Sequence, residues 1–402
     1  MTAPDRSTRA RGRVCLPQQW TIETLNHVAV VGAALLAAHF ARALSDLSPE
    51  AVDFTLFHGS VRSWREGHSL YEQAQGLVNY NPPQFHILIL PLASMPVGLA
   101  FAAWTAISAG VAAVTIRMAM REAGGIWLPQ EQRLLLAGVL IAAGVGATVH
   151  LGQVSWVIGL LVALGWRAAR RDRWVVAGAW LGVAASLKPF LLLVLMIFVV
   201  RRRWNGLVAA AAGAAVCTAV GVLVFGTASL GDWLRLLSAG APPQQMAYFI
   251  NASLAAPFAR VGLGPAVYPI VGLIVVMLTI LRARSSGVDQ AFLLLLIGSL
   301  LASPLGWIYY MPILAGPLIV MARRRELPGR AWCVWPLLAC PPISRDFLQF
   351  DRALAITLGS SYTWGLVTLW VAAAKARTRA NPLGGTAAST ESTWASKPSP
   401  SE

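Results

Sequence analysis

The feature that most constrains this chain is a repeated alternation between long apolar runs and short clusters of arginine and lysine. Leu25–Leu44, Gly206–Phe225, Pro265–Leu281, Ala291–Ala302, Trp307–Met321 and Leu354–Ala374 read as membrane spans. A helix rises 1.5 Å per residue, so roughly 20 apolar residues cross a ~30 Å hydrocarbon core. The cations between the runs cluster at Arg6–Arg13, Arg167–Arg173, Arg201–Arg203, Arg282 and Arg284, Arg323–Arg330, and Lys375–Arg379. These clusters hold 20 of the 32 Lys and Arg, so the net charge of +15 marks cytoplasmic loops and contact with anionic lipid heads. It does not mark a nucleic-acid partner. Only 12% of residues are charged and 56% are apolar, against about 25% charge in a soluble domain, so lipid is the solvent for most of the chain.

The expected fold is all-α, a polytopic integral-membrane bundle of about 11–13 helices with outer loops. Residues 1–24 read as a basic cytoplasmic tail, 25–375 as the membrane domain and 376–402 as a disordered polar tail. The basic tail and the first run look like an uncleaved first span. Ser45–Pro83 and Thr227–Gly264 are long outer loops, and Ser344–Arg352 is a short one. Gln84–Pro96 reads either as a short span or as a re-entrant segment. Trp174–Val200 is about 40 Å long as one helix, too long for one span, and arginines flank both ends. Two short helices turning at Lys188-Pro189 solve this, because proline breaks a helix. The turn would lift Lys188 into the outer half of the membrane.

Trp166, Trp174, Trp204 and Trp332 flank arginine clusters and read as interfacial anchors. Trp64 and Trp307, on the outer side, are candidates to stack on a sugar ring. Of the four cysteines, Cys15 lies in the basic tail, and Cys217, Cys333 and Cys340 lie in apolar runs. They make neither a disulfide framework nor a CxxC metal pair. All six histidines precede residue 151. His58 and His68 share the first outer loop, which leaves metal ligation open but without an HxxxH-like spacing. No long apolar segment carries a mid-span Asp or Glu, which argues against an ion-coupled transporter.

The informative polar residues are on the outer side. Asp53-Phe54, Gly67-x-Ser69-x-Tyr71 and Tyr80-Asn81-Pro82-Pro83 follow the first span. Further on come Gly152-Gln153-Val154-Ser155, then Gly178-x-x-x-Gly182-x-x-Ala185 leading to Lys188-Pro189. Asn251-x-Ser253-Leu254 precedes Arg260, and Ser303-Pro304-x-x-Trp307 closes the series. In this order the segments resemble glycosyltransferase family 87, of the GT-C superfamily, over residues about 25 to 375. The chain departs from that pattern at Ala252 (Gln in the family), Ser155 (Asn) and Tyr309, where the family often carries His.

The resemblance implies a GT-C-like fold and an inverting hexosyltransferase of the cell membrane. The implied donor is a polyprenyl-phosphate-sugar, most often of mannose, and the acceptor a glycan or glycolipid on the outer face. Phosphate is a good leaving group, so one base suffices, unlike the two carboxylates of glycoside hydrolysis. Asp53 is the candidate base, with His58 as a substitute. Lys188 and Arg260 are candidate cations for the phosphate. Gln153, Tyr80, Asn251, Trp307 and Tyr309 complete the candidate substrate site. No cofactor is implied, and a divalent cation stays open. The rival readings are a transporter or flippase of lipid-linked sugars and a non-catalytic relative that binds the carrier.

Overall fold

The fold comes from a computed structural model that describes residues 21–48, 52–72, 79–328, 337–338 and 351–376. Arg6–Arg13, Cys15, Trp332, Cys333, Cys340, nearly all of the short loop 344–352 and the tail beyond Ala376 lie outside the described residues. The described residues are helical and form the expected all-α membrane bundle. Five helices are individually long and apolar enough to span a membrane. They are α1 (Ile22–Ser45), α3 (Val97–Ala123), α9 (Trp204–Ser238), α12 (Gly264–Arg284) and the final segment Arg352–Ala374. The bent pair α4 (Pro129–Ile141) and α5 (Ala143–Leu151) makes a sixth. The short amphipathic α2 (Asp53–Arg65) follows the first span. The remaining crossings are shorter or broken: α6 (Ser155–Arg170), α7 (Trp174–Leu187), α8 (Met196–Val200), α13 (Val288–Ala302) and the segment Ile308–Arg323. A count by length alone therefore falls below the number of helical segments in the bundle.

The arginine clusters among the described residues converge on one end of the bundle, where interior acids meet them. Glu122, at the end of α3, pairs with Arg167 (2.8 Å), Arg170 (2.7 Å) and Arg171 (2.7 Å). Asp289, at the start of α13, pairs with Arg170 (3.1 Å) and Arg324 (3.4 Å), and Glu131 pairs with Arg323 (3.1 Å). Because α3 ends on this basic side, its first residue lies at the opposite side, where α1 also ends. Residues 83–96 therefore do not cross. They form two short 3₁₀ turns, Pro83–Leu88 and Leu90–Leu92, at the outer end.

Two of the tryptophans read as lipid anchors do something else. Trp166 is fully buried and its indole N–H donates to Asp289 (2.8 Å). Trp174 is buried beneath Arg203 and donates to Asp172 (2.5 Å). A tryptophan beside arginines serves equally as a cation–π partner and as an interfacial ring, and burial decides between them. Trp204 is 58% exposed and keeps the anchor's position.

The over-long segment 174–200 is a hairpin. The α7 helix ends at Leu187, Lys188 is extended (φ −139°, ψ 93°), and a 3₁₀ turn from Pro189 returns through α8. Asp172 before α7 pairs with Arg203 after α8 (2.9 Å), so both ends lie on the basic side. The glycine-rich motif is the packing seam that holds this hairpin. A Cβ at Gly178 would stand 2.0 Å from the Gly206 carbonyl oxygen, and one at Gly182 would stand 2.0 Å from that of Ala210. Only glycine lets α7 and α9 approach this closely. Tags placed after Arg173, Arg203 or Arg325 should report cytoplasm, and tags at Gly67 or Gly240 the outside. A cytoplasmic report at Gly67 would reverse the orientation assigned to the bundle.

The α9 helix has 35 residues, about 52 Å at 1.5 Å each, and exceeds the bilayer. It breaks at Gly226 (φ 83°), where the span read from sequence ends. Beyond the break it covers the first outer loop: Asp232 accepts from the Ser69 hydroxyl (2.7 Å), and the Trp233 indole donates to the Tyr80 carbonyl (3.0 Å).

Candidate active site

A cavity of about 760 Å³ opens at the outer end, between α2, the α7 turn, the covering end of α9 and the segment around Trp307. Six of the residues singled out from sequence line it: Asp53, Tyr80, Gln153, Lys188, Trp307 and Tyr309. They come from five separate stretches of chain. Leu193, Leu236, Leu237 and Val276 make part of the wall apolar.

Asp53 is the first residue of α2, where the helix dipole favours an anion. Its carboxylate accepts a hydrogen bond from the Gln153 side-chain N–H. That contact depends on Gly152, which turns the chain between α5 and α6 at φ 65°. A Cβ there would strike Phe54 at 2.6 Å and Phe101 at 2.9 Å, so only glycine lets the Gln153 turn close on α2. Burial raises the Asp53 carboxyl to about 6, partly offset by the Gln153 hydrogen bond and the Lys188 charge. Its carboxylate side opens into the cavity, so an occupant that displaces water would reinforce the upward shift. A carboxylate with a pKa near neutrality suits a general base.

Lys188 sits at the hairpin turn and is buried, 6% exposed. Its ammonium donates to Asn81 Oδ1 (2.6 Å) and lies over the rings of Phe85 (4.9 Å) and Tyr310 (5.2 Å). An ammonium has three N–H donors, and Asn81 takes one. An incoming anion can take the others. In the same lining Trp307 and Tyr309 stack with ring centroids 6.0 Å apart and 24° between planes, and Tyr310 packs on Tyr309 at 4.8 Å. Such a wall suits the apolar face of a sugar ring.

Four of the sequence candidates lie elsewhere. His58 is buried on α2, and its Nε2 meets the Met95 carbonyl (3.2 Å) rather than the cavity. Asn251 is fully buried. Its amide donates to the carbonyls of Met246 and Pro304 (both 2.9 Å) and accepts from the N–H groups of Ser253 (3.1 Å) and Gly306 (3.0 Å). It pins the second outer loop to the segment that carries Trp307, through an isolated bridge between those two residues. Arg260 spends its guanidinium on the carbonyls of Ala247, Tyr248, Phe249 and Asn251 and on the Ser360 hydroxyl, at 2.6–3.3 Å. It organises the loop and does not line the cavity. Burial lowers its pKa to about 10, so it stays charged at neutral pH. Replacing Arg260 by Met strands these carbonyls and should cost on the order of 3 kcal/mol of stability. The donor KM of the folded fraction should stay within about threefold, since 1.4 kcal/mol is a tenfold change. Thermal unfolding beside kinetics checks this. Trp64 packs against Phe225 (4.8 Å) and does not line the cavity.

Asn79, Asn81 and Tyr310 also line the cavity. Asn81 was visible only as part of the Tyr-Asn-Pro-Pro stretch, and its partner Lys188 lies 107 residues away. Among the described residues no group of three His, Cys, Asp or Glu is placed to hold a metal ion.

The described residues thus define an all-α membrane bundle in which a carboxylate, an ammonium and an aromatic wall share one cavity. Residues 79–304, more than half of the chain, match the model of glycosyltransferase family 87, and the chain belongs to that family. The matched stretch contains Tyr80, Gln153 and Lys188; Asp53, Trp307 and Tyr309 flank it. The chain is also 24% identical over 367 residues to a polyprenol-phosphate-mannose-dependent alpha-(1-2)-phosphatidylinositol mannoside mannosyltransferase of Mycolicibacterium smegmatis. The similarity covers 79% of this chain and 82% of the relative. No solved structure matches the chain.

Proposed function

We propose that this membrane glycosyltransferase transfers mannose from a polyprenyl-phosphate-mannose donor to a hydroxyl of a glycan or glycolipid acceptor, on the outer face of the cell membrane. The observation that carries the reading is the meeting of Asp53, Gln153 and Lys188, from three distant segments, in one outer cavity with a partly apolar wall. The prenyl chain would lie along the apolar wall, the phosphate at Lys188 and the sugar against Trp307 and Tyr309.

The acceptor oxygen attacks the anomeric carbon and forms the new glycosidic bond. The bond from that carbon to the phosphate oxygen breaks, and its electron pair leaves with the prenyl phosphate. The acceptor proton passes to Asp53. Attack from the face opposite the leaving group inverts the anomeric centre. Gln153 holds the carboxylate toward the acceptor, and Lys188 stabilises the charge that develops on the phosphate. No cofactor enters this step. The test is an assay of membranes whose outer face is accessible, with radiolabelled polyprenyl-phosphate-mannose and a parallel arm with EDTA. Label should reach an acceptor without EDTA effect. Transfer from a different prenyl-phosphate-sugar alone would overturn the choice of mannose, and loss of transfer in EDTA would overturn the metal-free step.

A further inference from the structure

Behind Lys188 lies a chain of buried amides. Asn81 Oδ1 accepts from the Lys188 ammonium (2.6 Å), and Asn81 Nδ2 donates to Asn79 Oδ1 (2.8 Å). The same Asn79 oxygen accepts from the Asn81 backbone N–H (3.2 Å). Asn79 Nδ2 then donates to the Ser60 hydroxyl oxygen (3.1 Å) and to His86 Nε2 (2.7 Å). His86 Nδ1 faces the Pro82 carbonyl (3.2 Å). A carbonyl only accepts, so Nδ1 carries the imidazole proton and Nε2 is left as the acceptor. Asn79, Asn81 and His86 are each buried, at 2%, 8% and 0% exposure.

The order of donors in this chain has one consistent polarity. An imidazole that accepts at Nε2 forces Asn79 to point its N–H₂ at His86 and its oxygen at Asn81. That oxygen forces Asn81 to point its own N–H₂ inward and its oxygen at Lys188. Reversing any member would place two donors face to face in a buried site, at a cost of about 1–3 kcal/mol for each unmade bond. A neutral amide oxygen also holds the ammonium without forming an ion pair with it.

We propose that His86, through Asn79 and Asn81, is a positioning residue: it fixes the amide orientation that aims the Lys188 ammonium into the cavity for the donor phosphate. The inference rests on the reading of Lys188 as the phosphate contact. His86 itself does not line the cavity and acts only through the relay.

The test uses the full-length chain in detergent, a short-chain prenyl-phosphate-mannose as donor, and the matching prenyl phosphate as a binding probe. His86→Phe keeps an aromatic ring among Tyr71, Phe85 and Phe225, which now surround the imidazole, but removes the acceptor. His86→Gln restores an acceptor oxygen. His86→Phe should raise the donor KM and the prenyl-phosphate Kd about tenfold or more, as expected for misaligning one hydrogen bond to a charged group. Its kcat should change less than threefold. His86→Gln should return both constants to within about threefold of wild type. If His86→Phe does not fold, Asn81→Ala should show the same split between KM and kcat. Equal loss in the Gln and Phe variants, or a fall in kcat alone, would reduce His86 to a packing residue. Should Lys188→Met leave the donor KM unchanged, the phosphate reading itself fails. A Lys188 effect without a His86 effect sinks only the relay.

Discussion

Replacing Asp53 by Asn should lower kcat by about 10²–10⁴-fold, the range that a positioned general base contributes, while expression and folding stay normal. The substitution keeps the shape of the side chain and removes only the acceptor's proton sink. Stability should not fall with activity. Burial raises the Asp53 carboxyl from 3.8 to about 6, so the native state prefers the protonated form. The sign follows from linkage: this group's contribution is most favourable below pH 3.8 and is lost as pH rises through about 6. At neutral pH the ionised carboxylate is a cost that Asn does not carry, so the variant should melt at or slightly above the wild-type temperature. The same value sets the wild-type pH profile. As pH falls below about 6, kcat/KM should drop roughly tenfold per unit, because the base is then protonated. Wild-type activity in Asp53→Asn, or a profile flat through that region, would remove Asp53 from the chemistry. His58 would not replace it easily, since its ring is buried against the Met95 carbonyl.

Replacing Lys188 by Met should raise the donor KM about 10–100-fold and lower kcat less. A hydrogen bond to a charged group contributes about 1.5–3 kcal/mol, and 1.4 kcal/mol is a factor of ten. The ammonium is held by a neutral amide and two aromatic rings. Burying an ammonium away from water is costly, and such a cost is retained where an anionic substrate uses the charge. Methionine fills a similar volume without that cost, so the variant should fold. If kcat falls with KM unchanged, the lysine acts on the transition state alone rather than in holding the donor. If neither changes, the ammonium has no substrate role.

The hairpin at Lys188-Pro189 shows how far local chemistry reaches. Proline's missing N–H, arginines at both ends and a length too great for one span were enough to infer two helices and a turn. The end of the span at Gly226 was legible for the same reason, since composition changes where the chain leaves lipid. The candidate carboxylate at the start of α2 was legible from its place just past the first span and from the resemblance at Asp53-Phe54. Trp166, Trp174 and Arg260 were misjudged because an arginine or tryptophan near the interface satisfies several environments equally well. Only packing showed that Trp166 and Trp174 are buried in the basic network and that Arg260 is consumed by loop carbonyls.

What the sequence determined by itself is the solvent, the all-α bundle and the basic side, and with that side the expectation that the polar motifs face outward. Each follows from transfer energies and charge patterns that act over a turn or two of chain. What only the tertiary structure decided is which polar residues meet. Asp53 finds Gln153 across 100 positions and Lys188 finds Asn81 across 107, through glycine-sized contacts at Gly152, Gly178 and Gly182. Such pairings are set by how helices pack, and lipid, being as apolar as the helix faces it surrounds, leaves that choice to close van der Waals fit and buried hydrogen bonds.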